Sequence, residues 1–154
     1  MIENIGVKLV GNVTWVHRSK DGSIIAMGQK RNLLLQDGQE VMVDRLGGLG
    51  GAAAITVIAI GDSDSAASMD QTDLQGTELH YHTCTNSRVT NNKLVCYSDF
   101  AAGHGTGTIK ETVCADTNAA KGARKCLARC VIGPIVKAGG DTVTIIWEFI
   151  FAEV

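Results

Sequence analysis

The residues best suited to chemistry are two histidines and a cysteine that alternate along one short stretch. His80, His82 and Cys84 are spaced two apart, so on a β-strand their side chains point to one side. Imidazole and thiolate are good zinc ligands, and Cys96 or His104 could supply the fourth ligand of a structural site. Because no Cys-x-x-Cys pair accompanies them, the pattern favours an ordinary strand, and we predict no metal here.

Four aspartates lie in a loop of small polar residues. The order Asp62-x-Asp64 matches the start of an EF-hand calcium loop, and Asp70 and Asp73 follow. Position six of that loop is Ala67 instead of glycine, however, and position twelve is Asp73 instead of glutamate. We therefore predict a solvated loop over residues 62–73, without calcium, that is exposed and is either mobile or held by a partner chain.

The remaining polar residues form no catalytic motif. Residues 103–107 are rich in glycine but lack the Gly-Lys-Ser/Thr ending of a phosphate loop. Neither Cys84 nor Cys114 lies in a recognisable nucleophile motif, and no acid–base pair or nucleophile elbow is visible. We predict that the protein is not an enzyme and uses no cofactor.

Five cysteines are many for a protein made in the cytoplasm, where thiols stay reduced. They act either as small buried hydrophobes or as thiols that oxidise later, outside the cell. If the two C-terminal hairpins turn near residues 90 and 120, Cys84 faces Cys96 and Cys114 faces Cys126. Directly opposed strand residues lie within disulfide range, so both pairings are candidates.

Cys130 is the odd cysteine and the candidate for a bond between subunits. It lies four residues after Cys126, so on a regular strand both side chains share one face. Cys130 is nearer the end of that strand, where another chain can reach it. Cys84 and Cys96 are the reserve candidates for this cross-link.

Size and composition exclude several classes of protein. The chain of 154 residues fits a single domain, and 45% of its residues are hydrophobic. Charged residues make up 19% and the net charge is -2, which argues against direct nucleic-acid binding. The apolar runs are shorter than the roughly 20 residues that span a bilayer, so we expect no membrane partner. The N-terminus lacks the pattern of a signal peptide, which predicts synthesis in the cytoplasm.

Hydrophobic alternation predicts many short strands. Residues 5–18 and 23–31 form a hairpin around an Asp-Gly turn, and residues 55–61 form a strand buried on both faces. Further hairpins pair residues 80–88 with 93–101 and 108–116 with 123–131. This pattern is typical of a mostly antiparallel β-sandwich or barrel, here a single domain over residues 1–154.

One or two short helices are expected beside the strands. Asp37 is the predicted N-cap of the first, with Glu40 as its capping-box partner, and residues 47–48 end it. Met42 and Leu46 should share one face. Residues 47–54 are a predicted loop, and a helical turn is predicted over residues 73–79.

The last strand has the clearest alternation in the chain, and its apolar face is predicted to be core. That face comprises Val143, Ile145, Trp147, Phe149 and Phe151. We expect it to pack against the apolar face of the first strand, which comprises Val7, Leu9, Val13 and Trp15.

Several short motifs together resemble small virion proteins of tailed bacteriophages. They are Asn32-Leu33-Leu34 with Gly38, the strand at residues 55–61, Thr72-Asp73-Leu74 with Glu78, Leu127-Ala128-Arg129 with Lys137, and Gly140-Asp141-Thr142 leading to Trp147. The sequence departs from the family at Glu111-Thr112-Val113-Cys114, where a Glu-x-Gly-Leu-Phe-like strand is usual, and in its cysteines.

The resemblance implies a structural role in the particle, with a collar or neck sheath, a head decoration protein and a tail accessory protein all open. The expected partners are copies of the chain in a symmetric oligomer and other virion proteins of the capsid, portal or neck, or tail. The expected location is the virion. The alternative is a β-sandwich module that binds carbohydrate or a host surface.

Overall fold

The computed structural model describes residues 7–49 and 54–153, which form ten strands and one helix. In chain order the elements are β1 (Val7–Arg18), β2 (Ile24–Arg31), β3 (Leu33–Leu34), α1 (Gln36–Gly47), β4 (Val57–Gly61), β5 (Glu78–Thr83), β6 (Thr85–Thr90), β7 (Lys93–Phe100), β8 (Gly107–Ala115), β9 (Cys126–Lys137) and β10 (Thr142–Glu153).

The strands form two antiparallel five-stranded sheets. Sheet A has the order β2-β1-β10-β7-β6 and sheet B the order β3-β9-β8-β4-β5. The main apolar cluster contains residues of both sheets, as the facing layers of a sandwich require. The predicted mostly β, antiparallel sandwich is therefore confirmed. The one helix formed by the described residues, α1, is not long and apolar enough to cross a membrane.

The predicted contact between the first and last strands is confirmed. In sheet A, β1 pairs with β10 so that Val13 lies opposite Trp147, and both are fully buried. Leu9 and Trp15 pack against the same cluster at half-buried positions. Phe151 is 47% exposed, since it lies near the end of β10. The side chain of Val7 is not among those that the structure describes, so its predicted contact stays a prediction.

The first hairpin forms as predicted. Its turn is closed by a hydrogen bond from the Ser19 amide to the Ser23 carbonyl at 2.9 Å, and Gly22 has a φ of +88°. Across the pair, Trp15 lies over Gly28, where a Cβ atom would collide with the indole ring. The absence of a side chain on β2 thus makes room for the large aromatic ring on β1.

The strand predicted at residues 55–61 forms as β4, and all five of its residues are buried. It lies between β8 and β5 in sheet B, so both of its edges are paired. The strand predicted over residues 80–88, in contrast, breaks at Cys84. Its first half, β5, pairs with β4 in sheet B, and its second half, β6, pairs with β7 in sheet A.

The helix α1 starts earlier than predicted and has a different cap. Its N-cap residue is Leu35, with no side-chain capping bond, so the prediction that Asp37 caps the helix is wrong. Glu40 instead forms an ion pair with Lys125, with Nζ–Oε2 at 3.0 Å. The C-terminal end is as predicted, because Gly48 adopts the left-handed conformation at the C-cap.

Met42 is half-buried but Leu46, one turn further on, is 89% exposed, so the apolar face expected on α1 covers only part of the helix. Of the loop predicted over residues 47–54, residues 50–53 lie outside the described part of the chain.

The helical turn predicted over residues 73–79 is wrong. The amides of Gln75 and Gly76 donate to the Glu111 carboxylate at 2.9 and 2.7 Å, instead of to carbonyls one helical turn earlier. A buried carboxylate thus takes up the donors that a helix would need.

Candidate functional site

The outer face of sheet B is covered by the cover loop, which we define as residues 62–77 between β4 and β5. Leu74 of this loop is 1% exposed. It belongs to a second apolar cluster on the outer side of the sheet, with Val57, Ala59 and Val113. The cover loop is therefore part of the folded domain.

A fully buried ion pair fixes the cover loop from beneath. The Arg129 Nε donates to Glu111 Oε2 at 2.8 Å, and neither residue is exposed at all. The Glu111 carboxylate also accepts amide hydrogen bonds from Ser63, Gln75 and Gly76 at 3.3, 2.9 and 2.7 Å. One carboxylate on β8 thus holds both ends of the loop.

Arg129 completes this clamp on the other side. Its Nη1 donates to the Ser65 carbonyl at 2.9 Å and to Gln71 Oε1 at 3.0 Å. Gly61 gives the carboxylate room, because a Cβ there would lie 2.6 Å from Glu111 Oε1. The two charges are paired and mostly hydrogen-bonded, as buried charges require, and only Arg129 Nη2 has no hydrogen-bond partner among the described residues.

A second clamp joins the cover loop to the β8–β9 turn. Arg124 donates to both oxygens of Asp73, from Nη2 to Oδ1 at 2.6 Å and from Nε to Oδ2 at 3.1 Å. Its Nη1 also lies 2.6 Å from Glu78 Oε2. Burial raises the pKa of Asp73, but hydrogen bonds from Arg124 and from the Gly122 and Leu74 amides outweigh it, and the net shift is downward.

The four loop aspartates do not act as one exposed group. Asp64 and Asp70 are exposed as predicted, whereas Asp62 is half-buried and accepts the Thr77 amide at 2.7 Å. Asp73 is 5% exposed, so its predicted exposure is wrong, and Arg124 is the reason. The clamp on this loop comes from the chain itself. Within residues 7–49 and 54–153, no three His, Cys, Asp or Glu side chains are grouped to hold a metal ion.

The alternating histidines and cysteine do not form a ligand set. His80 and His82 lie on β5, but the strand ends at Thr83, and the Cys84 Sγ donates to Asn86 Oδ1 at 3.4 Å. The side chains do share one side, since His80, His82 and Cys84 contact Phe100, Ser98 and Cys96 along β7, but the strand itself ends before Cys84. His80 Nε2 instead lies 3.0 Å from Nδ1 of His104, which projects from the loop after β7.

Neither predicted strand register forms, although the Cys84 thiol still contacts the Cys96 thiol. Cys114 lies opposite Ala128, and Cys126 lies opposite Ala115, because Leu127 is an extra residue that bulges out of β9. Cys96 lies opposite Asn86 on one side and Trp147 on the other. All five cysteines are free thiols.

The same bulge separates Cys126 from Cys130. Cys130 packs in the main cluster between the sheets, whereas Cys126 packs in the outer cluster under the cover loop, so the expectation of a shared face is wrong. Cys130 is 2% exposed, and burial raises the pKa of its thiol to about 11. Cys84 is the one thiol of the five that is half-buried instead of buried.

The outer face of sheet A differs from that of sheet B. Val13, Ile145 and Trp147 point inward, so their neighbours along β1 and β10 point outward. None of the described elements packs over this side. We call it the bare face, and its larger apolar members are Val10, Val16, Ile24, Met27, Val95, Tyr97, Ile146 and Ile150.

Sequence reasoning missed the residues that organise sheet B. The sequence patterns assign no role to Arg124, place Arg129 only in a resemblance motif and place Glu111 only where the chain departs from the family. The available signal was a charged residue inside a strand that is otherwise apolar or small, as in Leu127-Ala128-Arg129-Cys130. A charge in such a place requires a buried partner.

Comparisons of the chain with models of protein families, with curated proteins and with solved structures find no match.

Proposed function

We propose that the protein is a non-enzymatic structural component of a tailed-phage particle and assembles as a symmetric oligomer through the bare face. The observation that carries the proposal is the apolar surface of sheet A, which the described part of the chain leaves uncovered. The virion location is supported by the motif resemblance. Its partners are copies of itself and neighbouring proteins of the head, neck or tail.

The bare face has the composition of a protein contact. Its central row runs through Thr14, Ile146 and Tyr97, which are opposed across three strands. Tyr97 is 40% exposed and Met27, toward the β2 edge, is 65% exposed. Polar residues such as Asn12, Thr144 and Glu148 alternate with these apolar ones, and non-obligate interfaces have such a mixed composition. Aromatic residues and methionine are also enriched at interfaces.

The polar side chains of the resemblance motifs have structural partners. Asp73 and Glu78 pair with Arg124, and Arg129 pairs with Glu111. Asp141 accepts from His17, with Nε2–Oδ2 at 2.9 Å. These motifs therefore maintain the sandwich and its cover loop, which supports a structural role over a catalytic one.

We assign the proposed cross-link between subunits to Cys84, the reserve candidate. The other four thiols are buried inside the subunit, and a bond from any of them would require the sheets to open. Cys84 lies at the break between β5 and β6 and keeps part of its surface exposed. A hydrogen bond with Cys96 lowers its pKa, which favours the reactive thiolate.

The proposal is tested with Ile146→Lys, because Ile146 lies on the bare face and a lysine can extend into solvent there without entering the core. We expect the native chain to form a defined oligomer and the variant to be a folded monomer, measured by light scattering after size exclusion. Val136→Lys is the matched control. Val136 is 70% exposed on sheet B, so this change should leave the oligomer intact.

A monomeric native chain, or an Ile146→Lys variant that keeps its oligomeric state, would contradict assembly through the bare face.

Electron microscopy of particles then tests the location, since this chain should form rings at fixed positions. Its presence only at an isolated fibre tip would favour the carbohydrate- or host-binding alternative. On a gel without reductant, the native chain from particles should run as a high-mass band and Cys84→Ser as a monomer.

A further inference from the structure

The open edge between β5 and β7 is filled by a pair of histidines that the proposed structural role does not use. His80 points from β5 toward the space between the sheets and is half-buried. Its ring lies edge-on to Phe100 of β7, with the ring centres 6.1 Å apart. The Nε2 of His80 lies 3.0 Å from Nδ1 of His104, which is exposed.

His104 lies in a short turn that is held in place by backbone hydrogen bonds. The Gly103 amide donates to the Gly139 carbonyl at 2.7 Å, and the His104 amide donates to the Ala101 carbonyl at 3.1 Å. Gly105 has a φ of +68°, which a residue with a side chain rarely adopts. The turn therefore holds His104 against β5 with little freedom to lose when a ligand binds.

The separation of the two nitrogens matches a chelate. Imidazole nitrogens bind divalent transition metals at about 2.0–2.1 Å, so two of them at a right angle lie about 3 Å apart, and at the tetrahedral angle about 3.4 Å. The observed 3.0 Å fits adjacent positions of a square-planar or octahedral ion. Copper(II) and nickel(II) prefer such geometries with nitrogen and oxygen ligands.

We propose that His80 and His104 bind one divalent transition-metal ion of the copper(II) or nickel(II) type, with water in the remaining positions. Each ring turns by roughly 45° so that its lone pair points to the metal, and the proton shared in the hydrogen bond moves through solvent to the other nitrogen of its ring, so that two bonds to the metal replace the hydrogen bond. The exposed side of His104 provides the path of entry. Hard cations such as magnesium are not expected to bind, because they prefer oxygen ligands.

The charges around the pair are compatible with a neutral, metal-binding imidazole. Burial, followed by the neighbouring His104 and His82, lowers the pKa of His80, and Lys137 contributes in the same direction. Glu78 opposes them. Metal binding competes with protonation, so affinity should fall as the pH is lowered.

The test is a calorimetric titration of the full chain, without a histidine tag, with nickel chloride and separately with magnesium chloride. We expect one nickel ion per chain and no magnesium binding. His104→Ala should weaken nickel binding at least about tenfold. His82→Ala is the matched control, because His82 lies on the same strand but faces Ser98, with Nδ1–Oγ at 3.3 Å, and should bind nickel like the native chain.

Thermal unfolding gives an independent measurement. Nickel at ten times the dissociation constant of the native chain should raise the Tm of that chain by about 3–6 °C, and should raise the Tm of His104→Ala by no more than about 2 °C. Absence of nickel binding by the native chain would overturn the proposal and leave a simple hydrogen bond. Binding that survives His104→Ala, or that is lost equally in His82→Ala, would also overturn it.

Discussion

The two outer faces of the sandwich differ: the outer face of sheet B is covered by the chain, and the outer face of sheet A is not covered by the described residues. On sheet B, the cover loop buries Leu74 against the strands, and two arginines tie the loop down through Glu111 and Asp73. On sheet A, the bare face presents apolar side chains that no described element covers. The same β-sandwich thus has one outer face covered by its own chain and one that no described element covers.

The difference lies in what each face needs. A charged pair in a covered face requires a precise arrangement, since buried ions are costly unless every hydrogen bond is made. The residues of sheet B therefore act within the subunit. The bare face also carries an ion pair, Lys93–Glu148 at 2.9 Å, but this pair stays partly exposed and does not need the complete enclosure that Glu111 and Arg129 have.

The largest expected effect comes from breaking the clamp of the covered face. Arg129→Met leaves Glu111 as a buried, unpaired carboxylate, and we expect the free energy of unfolding to fall by about 3–5 kcal/mol. Chemical denaturation followed by circular dichroism measures it. A loss below about 1 kcal/mol, typical of surface substitutions, would show that the pair is not buried in solution.

A double variant sharpens this test. Arg129→Met combined with Glu111→Leu removes both charges, and hydrophobic replacement of a whole buried pair is often nearly neutral. We expect it to recover part of the loss but not all, because the amides of Gln75 and Gly76 then lose their acceptor. A double variant less stable than Arg129→Met would contradict this account.

Substitutions at two neighbouring residues of β10, Trp147 and Ile146, allow the stability contributions of the core and of the bare face to be compared directly. Trp147 is fully buried, so Trp147→Ala should cost about 3–5 kcal/mol. Ile146→Ala on the other side of the strand should cost at most about 1 kcal/mol in the isolated subunit and should weaken the oligomer. Urea unfolding at low protein concentration separates the two effects. Equal losses for both variants would mean that the bare face is covered within the subunit.

The sequence predicts the inner layers better than the outer ones. Alternation along β1 and β10 identifies the core contact of Val13 with Trp147, because burial on one face leaves a period of two. The position of the cover loop cannot be predicted from such alternation, because Glu111 and Arg129 come together only when β8 and β9 pair. The break at Cys84 and the bulge at Leu127 carry no periodic signal either: the break passes the chain from sheet B to sheet A, and the bulge puts Cys126 on the outer face.

The second clamp predicts a dependence of stability on pH. The pKa of Asp73 in the folded state lies below its unfolded value of about 3.9, so it stabilises the fold above that pH. This contribution is lost as the pH falls through the folded pKa. Denaturation at pH 5, 4 and 3 should show a shallower loss for Asp73→Asn than for the native chain. Equal slopes would contradict the contribution of the Asp73–Arg124 pair.

The smallest effect is expected at the exposed rim of the cover loop. Asp64 lies in an exposed ion pair with Lys110 at 3.3 Å, and Asp70 contacts Ser68 within the loop. Exposed pairs contribute little, so Asp64→Asn with Asp70→Asn should change the Tm by less than about 2 °C. Addition of calcium should leave the Tm of both proteins unchanged. A calcium-dependent rise that disappears in the double variant would show that these aspartates bind the ion and that the cover loop is more than a structural lid.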